Sequence, residues 1–318
     1  GYEVRLGGAR RRAKTTTRLF AVGGMYGSGV HFFAVPYVEV LDVTTRHDGS
    51  LVVEGEEKVD EALSRKKWKR IADLPANRTE LSLVVVQGRM YAIGGAGATK
   101  TGSTDSMWSL PLFGDDGKTL LTMTQLRAAT WRTEPSMPTP RASITSGSLG
   151  GKIVVAGGMR GFLASALDPD PLNTVEVFDP ATRTWTSAAA GPASPENRPE
   201  QLPRAIHSPG SVVAPKGLFG KGAGEVLVVG GGYASTGDVG TVFGLKESAH
   251  GSWTALPPLT IPRMGLALAA TRDCLYAMGG MTQDPTRHTN MDAASPITAS
   301  VEKFCPKESG RRREEGEL

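Results

Sequence analysis

Short apolar runs that end in a pair of glycines recur along the chain and dominate its hydrophobic pattern. Four apolar residues precede each pair, as in Ile153-Val-Val-Ala156 and Leu275-Tyr-Ala-Met278. The five pairs are Gly23-Gly24, Gly94-Gly95, Gly157-Gly158, Gly230-Gly231 and Gly279-Gly280. A run that is apolar throughout predicts a strand buried on both faces. Its recurrence predicts that each copy is one supersecondary unit of a larger stack.

A tryptophan and an arginine keep a fixed spacing to these glycines. In three units the tryptophan lies 26 residues before the pair, and the arginine follows the tryptophan by ten; these are Trp68-Arg78-Gly94, Trp131-Arg141-Gly157 and Trp253-Arg263-Gly279. In the fourth unit the step from Trp185 to Gly230 is stretched to 45 residues. The surplus lies in two Pro/Gly-rich stretches, 191–203 and 215–224, which predict loop insertions that a scaffold tolerates.

Each unit divides into four predicted strands, which we name A to D. Strand A follows the arginine, strand B ends in the glycine pair, strand C is a second apolar segment such as Val175-Glu-Val-Phe-Asp179, and strand D carries the tryptophan. The glycines suit positions of positive φ or close backbone approach. Short strands at this regular spacing predict an all-β chain folded as a β-propeller of four-stranded blades.

The pattern resembles the Kelch-repeat family. The stretches that carry the resemblance are residues 141–158, 175–185 and 253–280. The resemblance implies a Kelch-type propeller, and the units counted above give five blades in this chain. Family members more often have six blades, so six is the alternative if a terminal blade is missing.

The last predicted blade lacks its own strand D, because no tryptophan follows its strand C. The beginning of the chain offers a substitute, since Tyr2 precedes Arg12 by ten residues, as each tryptophan precedes its arginine. We therefore predict that residues 1–9 form strand D of the last blade and close the ring against residues 263–305. Such closure removes exposed sheet edges.

Composition and charge are those of an ordinary soluble domain. The 318 residues are 39% hydrophobic, and the net charge of +4 is too small to predict nucleic-acid binding. No run of 18 apolar residues predicts a membrane-spanning helix. We predict one monomeric propeller over residues 1–306, followed by a charged C-terminal tail over residues 307–318.

The cysteines and the basic runs bear on the compartment. Two cysteines, Cys274 and Cys305, do not make a disulfide framework and favour a reducing compartment. A cytoplasmic location is predicted on that basis. The run Arg311-Arg312-Arg313 makes the nucleus the alternative.

Loops carry the information about function, because the blades are scaffold. Alternating strand direction places the B–C and D–A loops on one face, and the A–B and C–D loops on the other. The long loops on the first face are 25–37, 159–174 and 281–298 between strands B and C, and 188–203 between strands D and A. We predict that this B–C/D–A face binds a protein partner.

Four arginines are predicted at one repeated position, the entrance to strand A: Arg78, Arg141, Arg204 and Arg263. The resemblance implies that polar residues near this position receive acidic or phosphorylated partners or peptide loops. Arginine forks bind carboxylates through paired bonds, so we predict that these four residues bind an acidic peptide or loop. The alternative is that they hold the D–A turn through backbone carbonyls.

Candidate catalytic chemistry is sparse. The five histidines are scattered, and no HExxH or His–Cys metal spacing occurs. Recurrent Glu39, Glu176 and Glu302 in strand C are interpreted as structural or edge residues. We predict no catalytic residue, no metal and no cofactor.

The sequence thus predicts a non-catalytic scaffold for protein–protein interaction. The alternative is a propeller enzyme, mutarotase-like or oxidase-like, that acts on a sugar in the central channel. A deep channel pocket with clustered Arg, Glu and His would favour the enzyme, and a broad loop-rimmed face would favour the binding protein.

Overall fold

The computed structural model describes residues 15–28, 31–45, 67–97, 102–161, 170–187, 198–246, 251–282 and 297–306. Five antiparallel sheets follow one another along these residues, and each corresponds to one unit of the sequence repeat. The order of strands in each sheet is the order in the chain, from A to D. This is the arrangement of β-propeller blades.

Blade 1 has three described blade strands and a hairpin. Its elements are β1 (Thr15–Val22), β2 (Met25–Ser28), β3 (His31–Ala34), β4 (Val38–Thr45) and β5 (Lys69–Arg70). Strand β4 pairs with both β1 and β5, which identifies the three as strands B, C and D. Strands β2 and β3 pair only with each other and form the B–C hairpin.

Blades 2 and 3 each have all four predicted strands. Blade 2 contains β6 (Ser82–Val86), β7 (Arg89–Ile93), β8 (Met107–Pro111), the helix α1 (Met123–Ala128) and β9 (Arg132–Glu134). Blade 3 contains β10 (Thr145–Leu149), β11 (Lys152–Ala156), the hairpin strands β12 (Met159–Arg160) and β13 (Asp170–Pro171), β14 (Val175–Asp179) and β15 (Thr184–Ser187).

Blade 4 is also complete, and blade 5 has three described strands. Blade 4 contains β16 (Gly210–Ala214), β17 (Val226–Gly230), the hairpin strands β18 (Tyr233–Ala234) and β19 (Gly237–Asp238), β20 (Val242–Lys246) and β21 (Trp253–Leu256). Blade 5 contains β22 (Ala267–Ala270), β23 (Leu275–Met278) and β24 (Val301–Phe304), which are strands A, B and C.

Strand A is the innermost strand of the blades. Strands β6, β10, β16 and β22 contact one another in that order around the ring. At the entrance to these strands a hydrogen bond links each blade to the next, from Ser143 N to Glu80 O, from Ser208 N to Ser143 O and from Gly265 N to Ser208 O. All four residues have a positive φ, between 51° and 63°. We call this series the axial hydrogen-bond chain.

The glycine pairs allow close contact between neighbouring blades. At Gly94 a Cβ atom would lie 2.8 Å from the carbonyl oxygen of Arg141, and at Gly95 it would lie 2.5 Å from that of Thr79. Both glycines have a positive φ. A side chain is therefore excluded twice, by the backbone conformation and by backbone atoms of two strand entrances.

The fourth glycine pair differs from the sequence prediction by one residue. Gly231 and Gly232 have positive φ values, whereas Gly230 is the last residue of β17 and does not. Gly231 N donates to Thr241 O, as Gly157 N donates to Thr174 O in blade 3. The structural pair is thus Gly231-Gly232, and the predicted Gly230-Gly231 is corrected.

The hydrophobic core lies between the blades, so each sheet is apolar on both faces. Between blades 2 and 3, for example, one cluster joins Tyr91, Ile93 and Met107 to Ile153 and Phe178. Strand B is buried over nearly its full length in blades 2, 3 and 4. This confirms the reason given for its continuous apolar sequence.

The two cysteines are joined, which corrects the expectation drawn from their number. Cys274 precedes β23 and Cys305 follows β24, and the pairing of Leu275 with Phe304 brings them together. The bond fastens the outer described strand of blade 5 to its neighbour. The cytoplasmic location stays a prediction, although a disulfide persists most readily in an oxidising compartment.

Several predicted segments lie outside the described residues. They include the proposed closing strand at residues 1–9, the charged tail at 307–318 and parts of three long loops, 162–169, 188–197 and 283–296. The closure and the domain limits therefore stay predictions.

Candidate functional site

The B–C and D–A loops lie side by side on one face of the propeller. The backbone of Gly102 in blade 2 lies against that of Gly161 in blade 3, and Ser103 Oγ donates to Met159 O at 3.0 Å. Further around the ring, Arg204 Nη2 donates to Thr236 Oγ1 at 2.8 Å. These contacts join the described loops of blades 2, 3 and 4. We call the side of the propeller that carries the B–C and D–A loops the loop face.

Blade 1 presents an exposed aromatic pair on this face. In the hairpin β2–β3, Tyr26 lies directly opposite Phe33, and their ring centroids are 5.6 Å apart. The two residues are 62% and 53% exposed, and Met25 beside them is exposed as well. Cross-strand aromatic pairs stabilise a hairpin, but burial of these rings would require another surface.

A third aromatic residue of blade 1, Tyr37, makes a cation–π contact. The Arg70 guanidinium lies 3.7 Å from the ring centroid of Tyr37, and Arg70 also bonds Asp73 through two nitrogens at 2.8 Å and 2.6 Å. The carboxylate raises the pKa of Arg70 above its ordinary value. Tyr37 is exposed and its orientation is fixed by this cation–π contact.

Arg141 and Arg263 lie inside their blades. Both are 0% exposed. Arg141 Nη1 donates to Gly157 O and Thr174 O at 2.8 Å and 2.7 Å, and its Nη2 bonds Glu176 at 2.8 Å. Hydrogen bonds to backbone carbonyls are what the alternative interpretation expects, in which the arginine has a structural role. The burial leaves neither side chain any surface to offer a partner.

Arg263 repeats this arrangement in blade 5. Its Nη2 bonds Glu302 Oε1 at 2.8 Å, and its Nη1 donates to the backbone oxygen and the hydroxyl of Ser300. Glu302 in turn accepts from the backbone N–H groups of Thr260 and Ile261. Burial raises the pKa of Glu302, but these backbone bonds and Arg263 outweigh it and leave the pKa below its ordinary value.

The recurrent glutamates of strand C thus fall into two kinds. Glu176 and Glu302 are the partners of the buried arginines, which agrees with their interpretation as structural residues. Glu39 is exposed and lies opposite Arg70 in the strand register. In blade 2 Trp108 takes the equivalent position in strand C.

Arg78 occupies the same position in blade 2 and is half-buried. It stacks over Trp108 at 4.6 Å and donates to Ser106 Oγ at 2.7 Å and Asn77 O at 2.9 Å. Burial lowers the pKa of Arg78, which nearby Asp105 partly offsets. Most of this guanidinium is therefore engaged within the blade.

Arg204 does not occupy the repeated position. The carbonyl of Arg141 accepts from Gly95 N, and the equivalent acceptor for Gly158 N is the carbonyl of Ile206, two residues beyond Arg204. Ile206 is buried, whereas Arg204 is half-buried at the loop face. The repeated position therefore holds an arginine in three blades, and the binding of an acidic partner by Arg78, Arg141, Arg204 and Arg263 stays a prediction.

The channel mouth contains one described carboxylate among the residues of the axial chain. Glu80 accepts from Ser143 Oγ at 2.9 Å. Within the described residues, no group of three or more His, Cys, Asp or Glu side chains has the geometry to hold a metal ion. No helix in the described part of the chain is long and apolar enough to cross a membrane.

A buried carboxylate with several donors lies between blades 2 and 3. Glu134 accepts from Ser109 Oγ at 2.5 Å, Arg132 Nε at 2.7 Å and Arg183 Nε at 2.9 Å. Burial raises the pKa of Glu134, but these bonds outweigh it and leave the pKa below its ordinary value. Since Arg183 belongs to the C–D turn of blade 3, the network fastens blade 3 to blade 2.

Comparison with known proteins agrees with this geometry. The family model of the Kelch motif matches residues 140–192, which include strands A to D of blade 3. Beta-scruin of Limulus polyphemus is 25% identical over 224 residues, or 69% of this chain and 21% of the scruin. Human Kelch domain-containing protein 8B is 30% identical over 149 residues, or 46% of this chain and 38% of that protein.

Two further comparisons extend these results. An F-box/kelch-repeat protein of Arabidopsis thaliana is 32% identical over 145 residues, or 46% of this chain and 31% of that protein. The solved structure of YjhT covers 90% of this chain, and the chain covers 82% of YjhT, with a TM-score of 0.54 and 14% identity. That identity supports the fold alone.

The sheets, their order and their inner strands define a five-bladed β-propeller. With the matched motif and the repeat-containing relatives, the class becomes specific: blade 3 contains a Kelch motif, and the chain is similar to Kelch-repeat proteins. The chain spans between 21% and 38% of the length of the three curated relatives named above.

Proposed function

We propose that this propeller is a protein-interaction scaffold that binds its partner through the loop face. One observation supports the choice of face above the others, namely the exposed Tyr26–Phe33 pair on the hairpin β2–β3. Aromatic side chains are enriched in the cores of protein–protein interfaces, where a few residues carry most of the binding energy. The Kelch-repeat relatives are consistent with a binding role.

The partner is proposed to present a carboxylate beside an apolar group. Arg204 and Arg160 lie on the same face as the aromatic pair, and Arg160 is exposed at the hairpin β12–β13. A guanidinium gives a carboxylate two parallel hydrogen bonds. An acidic loop or peptide that carries an apolar side chain satisfies both features.

The test compares aromatic residues on the two faces. We expect the double substitution Tyr26→Ala and Phe33→Ala to weaken partner binding at least tenfold, because truncation of each central aromatic residue removes about 1–2 kcal/mol. Partners would be captured by a photoreactive phenylalanine at position 26 and their affinities measured with the purified proteins. Thermal unfolding of each variant establishes that the fold is retained.

Trp68→Ala is the matched control, since Trp68 is an exposed aromatic residue just before β5, on the C–D side. Its substitution should leave the affinity unchanged. Equal loss of binding in both variants, or loss in the control alone, would contradict the assignment to the loop face. The acidic character of the partner is tested separately, by the effect of Arg204→Ala on the binding affinity and by the salt dependence of that affinity.

The described residues near the channel give little support to the alternative of an enzyme that acts on a sugar. Glu80 is paired with Ser143, and the buried arginines Arg141 and Arg263 direct their guanidinium groups to carbonyls within the blades. These contacts give each group a structural partner. They support the scaffold in preference to a catalytic channel.

A further inference from the structure

The face of blade 2 that packs against blade 3 carries polar side chains beside its apolar core. Tyr91, Ser109 and Arg132 lie directly opposite one another across strands B, C and D, and Tyr91 belongs to the core between the two blades. Side chains two positions apart on a strand share a face. Arg89 and Glu134 are therefore on this face as well.

These polar groups are particular to blade 2. The three positions that correspond in register to Tyr91, Ser109 and Arg132 carry no charge in the next two blades; they are Val154, Val177 and Thr186 in blade 3 and Val228, Gly244 and Thr254 in blade 4. The repeated architecture therefore does not require a charged group at this place. Its presence in blade 2 needs another explanation.

Three guanidinium groups converge on one carboxylate at this boundary. Arg132 Nε and Arg183 Nε donate to the two oxygens of Glu134 at 2.7 Å and 2.9 Å. Arg89 Nε donates at 3.1 Å to the hydroxyl of Ser109, which itself donates to Glu134. We call Arg89, Arg132 and Arg183 the arginine cluster. Three positive charges and one negative charge give it, together with Glu134, a net charge of +2.

The surroundings of the arginine cluster leave this charge in excess. Asp179 begins the C–D turn that carries Arg183, but it pairs with Lys152 at 3.4 Å, so the two together add no net charge. Burial and the guanidinium groups of Arg132 and Arg183 lower the pKa of Arg89. Since like charges repel one another at such short range, an anion that neutralises them is stabilised here.

The arginine cluster has donors left for such an anion. Each guanidinium uses its Nε and Nη2 in the contacts of the described residues, and among those residues its Nη1 makes no hydrogen bond. The side chains of Arg132 and Arg183 are each 44% exposed, whereas that of Glu134 is fully buried. The carboxylate thus orients the arginines from inside the protein, and their exposed parts are available to an anion from solution.

The arginine cluster is rigidly held on the side of the propeller opposite the loop face. Arg89 follows the A–B turn of blade 2, and Arg183 lies in the C–D turn of blade 3. Gln87 Nε2 donates to Gly151 O at 3.1 Å and so joins the A–B turns of the two blades. Binding groups held in place in this way lose little freedom when a ligand arrives.

We propose that the arginine cluster binds a phosphoryl group, carried by a phosphorylated serine or threonine of a protein partner. A phosphorylated side chain has a charge of about −1.5 to −2 at pH 7 and three acceptor oxygens, which matches the charge of the cluster and its three guanidinium groups. Arginine binds phosphate oxygens through paired hydrogen bonds. Small metabolites are mostly enclosed by their pockets, whereas a phosphorylated side chain suits an exposed site of this kind. The site goes beyond the proposed function, because it is separate from the loop face.

The first test is peptide capture with the full chain. A degenerate peptide library with a fixed phosphoserine is immobilised beside the same library with unmodified serine, and free phosphoserine is the competitor. We expect the phosphorylated library alone to retain the protein. Equal retention by both libraries would overturn the proposal. Binding of inorganic phosphate without retention by the phosphorylated library would overturn it as well, and so would stronger competition by duplex DNA than by phosphoserine at equal phosphate concentration.

The second test removes charge from the arginine cluster. Arg132→Gln with Arg183→Gln should weaken binding of the captured phosphopeptides at least tenfold (about threefold for each single variant), because charge-assisted hydrogen bonds are lost. The matched control is Lys118→Gln with Lys216→Gln, which removes two exposed charges from a C–D loop and an A–B loop on the same side. The control should leave the affinity unchanged. An equal loss in the control would reduce the effect to net charge and overturn the site.

Glu134→Gln distinguishes binding from a purely structural role. The substitution raises the net charge of the site to +3, so it should bind the phosphopeptides at least as tightly as the original protein, even where it lowers the Tm. Weaker binding would contradict the proposal. Tyr26→Ala with Phe33→Ala should leave phosphopeptide binding intact, so failure at this site is distinguishable from failure at the loop face.

Discussion

Replacement of Arg141 by methionine is expected to lower the free energy of unfolding by about 3–5 kcal/mol. Arg141 and Glu176 are both fully buried, and the guanidinium satisfies two carbonyls besides the carboxylate. Its removal leaves the buried Glu176 carboxyl without a cationic partner, with the hydroxyls of Thr139 at 2.7 Å and Ser187 at 3.5 Å as its remaining side-chain donors. An unpaired buried charge is far more costly than the loss of the pair itself.

Urea denaturation of the single and double variants checks this expectation. The double substitution Arg141→Met with Glu176→Leu should recover part of the lost stability, because it removes the stranded charge together with its partner. A loss below about 1 kcal/mol in the single variant would contradict the structural role assigned to this arginine. Because such a substitution is expected to destabilise the fold, alanine at Arg141 or Arg263 is unsuitable as a probe of partner binding.

Acidification from pH 7 to pH 5 is expected to remove about 2 kcal/mol of stability through a single side chain, His207. His207 is 3% exposed, its ring lies 5.2 Å from that of Tyr233, and its Nε2 has no hydrogen-bond partner among the described residues. Burial lowers the pKa of His207 from 6.5 to about 4. The folded state therefore holds the neutral imidazole.

The direction of the effect follows from the two pKa values. Between pH 6.5 and pH 4 the unfolded chain binds a proton that the folded chain refuses, so stability is complete above pH 6.5 and falls with decreasing pH through this range. His207→Met is the matched variant, because Met264 has the equivalent backbone contacts in blade 5. The change in unfolding free energy between pH 7 and pH 5 should be about 2 kcal/mol smaller in the variant than in the original protein. An identical pH dependence in both proteins would contradict the assignment.

Most of the blade strands could be predicted because their apolar runs and glycines repeat in phase. Strand C of blade 3, for instance, occupies Val175–Asp179 as predicted. The predicted position of the glycine pair was wrong where the sequence allowed two alignments of the repeat. Three consecutive glycines, 230–232, offer two possible pairs, and only the backbone conformation distinguishes them. The insertion in the fourth unit likewise hid the replacement of an arginine by Ile206.

The binding surface was harder to predict than the scaffold. Tyr26 and Phe33 become neighbours through the register of a hairpin inside a predicted loop, and their exposure depends on the whole fold. The disulfide was missed for a similar reason, because a separation of 31 residues does not reveal that two strands carry both cysteines to one end. The arginines were located correctly in three blades, but their burial could not be read from spacing.

The axial hydrogen-bond chain has a consequence for how this molecule tolerates change. Each of the three links is a hydrogen bond between backbone atoms, and the four linked positions hold Glu80, Ser143, Ser208 and Gly265, which share a backbone conformation although their side chains range from a carboxylate to none. Substitutions there can leave the links intact as long as the left-handed conformation is retained. The contacts at the centre therefore do not depend on particular side chains. The loops at the outer surface can change in sequence without altering the hydrogen bonds that join the blades.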